Sequence, residues 1–199
     1  MATSAQPYGL KPVNLVGGQP YAGSTRQVKI ASGYASNIFN GAVVSVVAAG
    51  TIEIVSEVGS NSDAFPAGTL GVFVGCAYTD PNTSQKTFRQ YWPSGTVASD
   101  AVAYVVDDPS VVFQIQADDT LAQSALGTNI PVVNPTAGST TTGNSTMAAD
   151  ASAIDVTDTI AFKIIGFVDS TTSEVGDAYT DILVKFNQKS HAYTSGTGI

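Results

Sequence analysis

The sequence is short of the residues that do chemistry. Its 199 residues include one cysteine, one histidine, two arginines, three glutamates and one tryptophan. A single cysteine, Cys76, cannot form an intramolecular disulfide. That excludes a disulfide-stapled secreted fold and fits synthesis in a reducing compartment. One cysteine with one histidine also excludes the usual zinc-ligand sets. A nucleophilic Cys76 needs a histidine and an acid beside it. The sole histidine, His191, stands in a polar, Gly-rich tail expected to be mobile, so Cys76, inside the apolar run 70–78, reads as a buried inert thiol. No GxxxxGK[ST] or strand-to-helix GxGxxG motif supports nucleotide binding. No GxSxG elbow supports a serine nucleophile. The first seven residues lack the basic and apolar regions of a secretory signal, and no apolar run approaches the roughly 20 residues of a membrane helix. The expectation is a soluble protein, made in a cytoplasm, with no membrane partner, no cofactor and no metal.

Charge is also scarce. Charged residues make up 12% of the chain, against roughly 25% in an ordinary domain. The net charge is −8, and thirteen of the sixteen acids are Asp, a turn former rather than a helix former. Phosphate contacts need clustered Lys and Arg. Lys185 and Lys189 come closest to a cluster, so nucleic acid is not an expected partner.

What is abundant is β-branched and hydroxylated. There are 23 Val and 12 Ile against 6 Leu, with 22 Thr and 20 Ser. Such side chains pack well on pleated surfaces and poorly on helices. With 43% hydrophobic residues the chain has a core to bury. Strands are expected at 26–31, 42–48, 51–58, 70–78, 87–92, 102–106, 111–117, 130–133, 160–168 and 182–187. Gly, Pro and Asp turns separate them, as at 59–68 and 169–177. The pattern predicts an all-β chain, a single β-sandwich or barrel-like domain over 26–187. One helical turn fits 121–126, capped by Asp118 or Asp119 and stopped by Gly127. The Ser/Thr/Gly-rich stretch 134–153 reads as a long exposed loop, and 188–199 as a C-terminal tail.

Residues 1–25 form an extended N-terminal arm. Prolines at 7, 12 and 20 favour an extended course, while Tyr8, Leu10 and Tyr21 supply apolar anchors. The arm either lies on another protein's surface or is an edge strand of its own domain. On the first reading, deleting it leaves a folded β-domain. Two acidic pairs, Asp107-Asp108 and Asp118-Asp119, bracket the strand 111–117. A strand of this length separates them by roughly 30 Å, too far for one glycosidase pair. They read as turn-capping aspartates, with calcium as the alternative. Phe88, Arg89, Tyr91 and Trp92 combine residue types common at interface hot spots. They also suit a sugar-stacking platform or ordinary strand packing.

The stretch Pro7-Tyr-Gly-Leu-Lys-Pro-Val, followed by Gly18-Gln-Pro-Tyr-Ala-Gly-Ser-Thr-Arg26, resembles the opening of a family of tailed-bacteriophage structural proteins. Gly71-Val-Phe-Val-Gly75, Tyr104 to Asp118, the Thr-rich 138–143 and Phe162-Lys-Ile-Ile-Gly-Phe-Val-Asp169 extend the resemblance through most of 7–187. The family is that of capsid decoration (cement) proteins. The resemblance implies a structural virion protein on the outer capsid surface, not an enzyme. Its implied partner is a major capsid protein of the HK97-like fold. Self-association is expected, with a trimer ahead of a dimer. The expected partner-binding residues are Pro7, Tyr8, Leu10, Lys11, Tyr21, Arg26, Phe88, Arg89, Tyr91 and Trp92. The alternative is a virion surface or tail module that binds host glycans through Tyr91 and Trp92. A depolymerase would need a cleft with paired acids, which no spacing here supports.

Overall fold

The computed structural model describes residues 4–56, 65–196 and 198. The end of the expected strand 51–58 and much of the expected turn 59–68 lie outside the described residues. The fold is all-β, with three antiparallel sheets packed together in a sandwich-like domain.

The first sheet runs in the order β1 (Lys11–Leu15), β8 (Val111–Gln116), β13 (Asp181–Phe186), β12 (Phe162–Phe167), β9 (Asn129–Ile130). The second runs β2 (Arg26–Lys29), β7 (Val102–Val106), β5 (Thr69–Thr79), β3 (Val43–Val46), β4 (Ile52–Ile54), with β6 (Lys86–Arg89) also on β5. A two-stranded ribbon, β10 (Val132–Val133) and β11 (Ala148–Ala149), completes the set. Ile30, just beyond β2, bridges in parallel to Ile52 of β4. The second sheet therefore curls back on itself towards a barrel.

Two cores result. Between the sheets, Val43, Val72 and Val106 meet Phe113, Ile115, Phe162, Ile164, Ile182, Val184 and Phe186. Inside the curled sheet, Ile38, Val44, Ile52, Phe73, Cys76, Tyr78, Trp92 and Val105 form the other. β5 is covered on both faces, which is why it reads as an unbroken apolar run. A bulge between Phe73 and Gly75 shifts its register on β7. It restores the parity that lets Phe73, Cys76 and Tyr78 share one core. By contrast β13 alternates strictly, with Ile182, Val184 and Phe186 buried and Asp181, Leu183 and Lys185 half-buried on the outer face.

Four expectations need correction. The N-terminal segment belongs to its own domain: β1 pairs with β8, and Leu10 is buried in the core between the sheets. Its Tyr8-Gly9-Leu10 stretch crosses so close to Gly41 that the Leu10 N–H donates to the Gly41 carbonyl at 2.9 Å. Gly9 holds φ +72°, and a Cβ there would lie 2.8 Å from the same oxygen. The stretch 134–153 is not simply exposed, because Ser145, Met147, Ala148 and Ala149 are buried and Ala148–Ala149 is a strand. The tail is anchored rather than loose. His191 is buried against Phe186, and the Ala192 N–H donates to the Thr69 carbonyl at 2.7 Å. The expected helical turn is a 3-10 turn, Gln123–Ala125, with no side-chain cap; Asp119 instead accepts from the Thr120 N–H.

Candidate partner-binding surface

The ten sequence-selected residues fall in four places. The first is the N-terminal segment, laid along one end of the first sheet. The Gln6 N–H donates to the Gln116 side chain at 2.8 Å, and Tyr8 Oη donates to Asp181 at 2.9 Å. Burial, reinforced by the Asp181 carboxylate, pushes the Tyr8 phenol far above its ordinary range. The Lys11 ammonium sits 3.8 Å from the centre of the Tyr8 ring. Pro7 is half-buried and Leu10 fully buried. Leu10 therefore cannot touch a partner; its role is to pin the segment.

The second place joins distant parts of the chain. Arg26 of β2 pairs with Asp107, which also accepts from Tyr193 Oη at 2.9 Å. The Arg26 guanidinium lies 5.5 Å from the centre of the Tyr193 ring. Tyr21 donates to the Ser24 carbonyl. Burial and the charge of Asp107 both raise the Tyr21 phenol. Asp107 thus ties β2 to the C-terminal segment, which the sequence reading of the acidic pairs had missed. Asp108 follows its expected role, accepting from the Ser110 N–H in the turn before β8.

The third is the outer side of β6, whose one strand partner among the described residues is β5. Thr87 stands opposite the buried Tyr78, so Phe88, the next residue, points to the other side, and Arg89 returns to the side of Thr87. Phe88 is 71% exposed. Arg89 lines a cleft of about 440 Å³ with Asp80, Pro93 and Val97, and Val97 is itself 65% exposed. The strand is held from beneath by a compact polar knot. Asp100 accepts from Lys86 Nζ at 2.8 Å and from the Thr79 N–H and Oγ1 at 3.0 and 2.8 Å. The Lys86 hydrogen bond, with those of Thr79, holds the Asp100 carboxyl well below the usual carboxylate range.

Trp92 and Tyr91 occupy the fourth place, the first buried and the second half-buried. Trp92 is fully buried, edge-on to Tyr78 at 5.3 Å, and its backbone exchanges hydrogen bonds with Ile38. Tyr91 is stacked on Phe39 at 5.7 Å. Burial leaves the Trp92 ring no open face for a sugar to stack on, while Tyr91 is half-buried.

Of the groups closest to catalytic chemistry, Cys76 and His191 are buried and Asp118 is exposed. Burial pushes the Cys76 thiol up to about 12, although Arg89 pulls slightly the other way. Cys76 Sγ donates weakly to the Tyr91 carbonyl at 3.4 Å. His191 Nδ1 accepts from the Tyr193 N–H at 3.2 Å, and among the described residues its buried Nε2 meets no hydrogen-bond partner. Asp118 accepts from the Ala151 N–H at 2.9 Å, and burial raises its carboxyl. Among the described residues no group of three or more His, Cys, Asp or Glu is placed to hold a metal ion. Among them, too, no helix is long and apolar enough to cross a membrane.

The surface at β6 thus combines an open strand edge, an exposed Phe beside an Arg, and a polar cleft. Compared with models of known protein families, with curated proteins and with solved structures, the chain matches none.

Proposed function

We propose that this chain is a structural virion protein, a capsid decoration subunit that binds the outer surface of a tailed-phage head. Its partner on this reading is a major capsid protein of the HK97-like fold. The subunit stabilises the shell by adding buried area across joints between capsomers. Several stretches of sequence support the reading by resemblance, from Pro7-Tyr-Gly-Leu-Lys-Pro-Val to Phe162-Lys-Ile-Ile-Gly-Phe-Val-Asp169.

The structural observation that carries it is the open β6 edge. An edge strand left unpaired invites another chain to add main-chain hydrogen bonds, and native proteins usually blunt such edges. Here Lys86 blunts one end, but Phe88 stands 71% exposed beside Arg89. A large aromatic next to an Arg is the composition of an interface hot spot.

The test uses two surface variants, Phe88→Ala and Arg89→Ala, and shells that lack the protein. Both variants should melt within a few degrees of the parent, since neither side chain enters a core. Each should bind shells at least tenfold more weakly, the loss expected from truncating a hot spot worth more than about 1.4 kcal/mol. Undiminished shell binding by both would remove β6 from the interface.

A further inference from the structure

The outer face of the first sheet carries a charge pattern unlike the rest of the molecule. Strand register places its residues. Lys11 of β1 stands opposite Gln114 of β8, which stands opposite Leu183 of β13. Two residues along β13, Lys185 stands directly opposite Lys163 of β12. Directly opposed residues share a face, as do residues two apart. Lys11, Leu183, Lys185 and Lys163 therefore lie together, away from the core that Ile182, Val184 and Phe186 fill. Lys189 joins them at the rim, where Lys163, Lys185, Asn187 and Asp158 line a depression of about 240 Å³.

Two like charges directly opposite each other destabilise a sheet. Among the described residues, neither Lys163 nor Lys185 has a carboxylate partner. Lys163 Nζ donates to the Gly127 carbonyl at 3.1 Å, which orients the ammonium without neutralising it. Lys189 is paired with Asp158 at 2.6 Å, and Asp181 at the far end of the face is engaged by Tyr8 and Gln114. The face and its rim hold four of the chain's eight cations and two of its sixteen acids. Everything else is left with four cations against fourteen acids. The molecule is thus acidic over most of its sequence and basic on one sheet face.

We infer that this face, centred on Lys163 and Lys185, docks on the acidic surface of a second copy of the chain. The inference rests on the self-association implied by the decoration reading and names the surface that would mediate it. Charge complementarity selects the occupant: the protein's own remaining surface supplies the carboxylates that the lysine pair lacks. Leu183, half-buried between Lys11 and Lys185, adds apolar area at the centre. The net charge of −8 repels two copies at long range, but at physiological salt that repulsion is screened beyond about 8 Å while contact pairs persist. The two surfaces in contact differ, so the interface is heterologous and closes into a ring or continues as a filament.

Sedimentation equilibrium of the full chain, without shells, tests this. At about 150 mM salt and tens of micromolar protein, a mass above the monomer is expected, falling towards the monomer at about 1 M. The double variant Lys163→Glu/Lys185→Glu should sediment as a monomer at both. Lys29→Glu, on the other sheet, should assemble like the parent and so separates local contact from net charge. The neutral pair Lys163→Gln/Lys185→Gln relieves the cross-strand repulsion, and should melt no lower than the parent yet also fail to assemble. A parent that is monomeric at the lower salt overturns the inference and leaves a foreign acidic surface as the occupant. Unchanged assembly in both double variants overturns the choice of face while leaving self-association standing. Shell binding is a separate readout, so neither failure can be mistaken for failure of the decoration reading.

Discussion

Gly71 lies where β5 passes against the start of the β7–β8 connection. A Cβ built on it would sit 2.0 Å from the Val106 carbonyl oxygen and 3.1 Å from the Asp107 Cα. Both are backbone atoms, so no side chain can rotate away. Gly71→Ala should therefore force apart the two central strands of the curled sheet. A loss of roughly 2–4 kcal/mol is expected, towards the upper end for a single overpacking change. Urea denaturation measures it, and a loss under about 0.5 kcal/mol would mean that the strands separate more easily than this contact implies.

His191 makes a second prediction, about pH. Burial holds its imidazole below the ordinary His value, and the nearby carboxylates of Asp107 and Asp108 oppose that shift without cancelling it. The sign follows from linkage. Below the unfolded value of about 6.5 the unfolded chain takes up a proton that the folded chain refuses. Stability is therefore unaffected by this group at pH 8, falls as pH drops below about 6.5, and levels once the folded imidazole also protonates. His191→Phe keeps a ring against Phe186 and Tyr193 but cannot titrate. Between pH 8 and pH 5 the variant should lose less stability than the parent, read from urea midpoints. Equal losses would place the acid sensitivity elsewhere, in the carboxylates.

At the scale of elements, the N-terminal strand decides between two accounts of the chain. β1 adds one edge to the first sheet, Leu10 enters the main core, and Tyr8 reaches Asp181. Removing residues 1–25 strips a strand from β8 and opens the core at Leu10. Truncating a single buried Leu to Ala already costs about 2–5 kcal/mol. The shortened chain should melt at least 10 °C lower or fail to fold, as followed by circular dichroism. A truncated chain that melts like the parent would restore the free-arm reading.

Most elements were legible in the sequence, and the misses have specific causes. β7 emerges with its expected bounds because Val102 to Val106 is short, β-branched and flanked by turn residues. β5 was found through its apolar run, though its two-sided burial could not be told from a buried helix segment by periodicity alone. β1 was hidden by Pro12, which reads as a strand breaker but is tolerated on a sheet edge. The ribbon strand β11 was hidden by small residues, since Ala148 and Ala149 bury through size and carry no pattern. In the candidate site, Phe88 and Trp92 look equivalent in sequence. Only the register of β6 on β5, and the bridge from Trp92 to Ile38, separates the exposed ring from the buried one. Lys163 and Lys185 lie 22 residues apart in the chain, and antiparallel pairing alone makes them neighbours.

Taken whole, the molecule spends its residues on two cores and leaves few groups for chemistry. Cys76 and His191 are both enclosed, and the acidic pairs serve turns, a salt bridge and backbone donors. Among the features that reach the surface are an open edge with Phe88 and a sheet face with a lysine pair. The proposed decoration role draws on these two surfaces. The measurement closest to that claim adds the purified protein to expanded phage shells that lack it, counting bound copies and following shell melting by calorimetry. The account predicts saturable binding in near-stoichiometric numbers and a higher shell melting temperature. Shells that bind the protein sparsely and melt unchanged would contradict it.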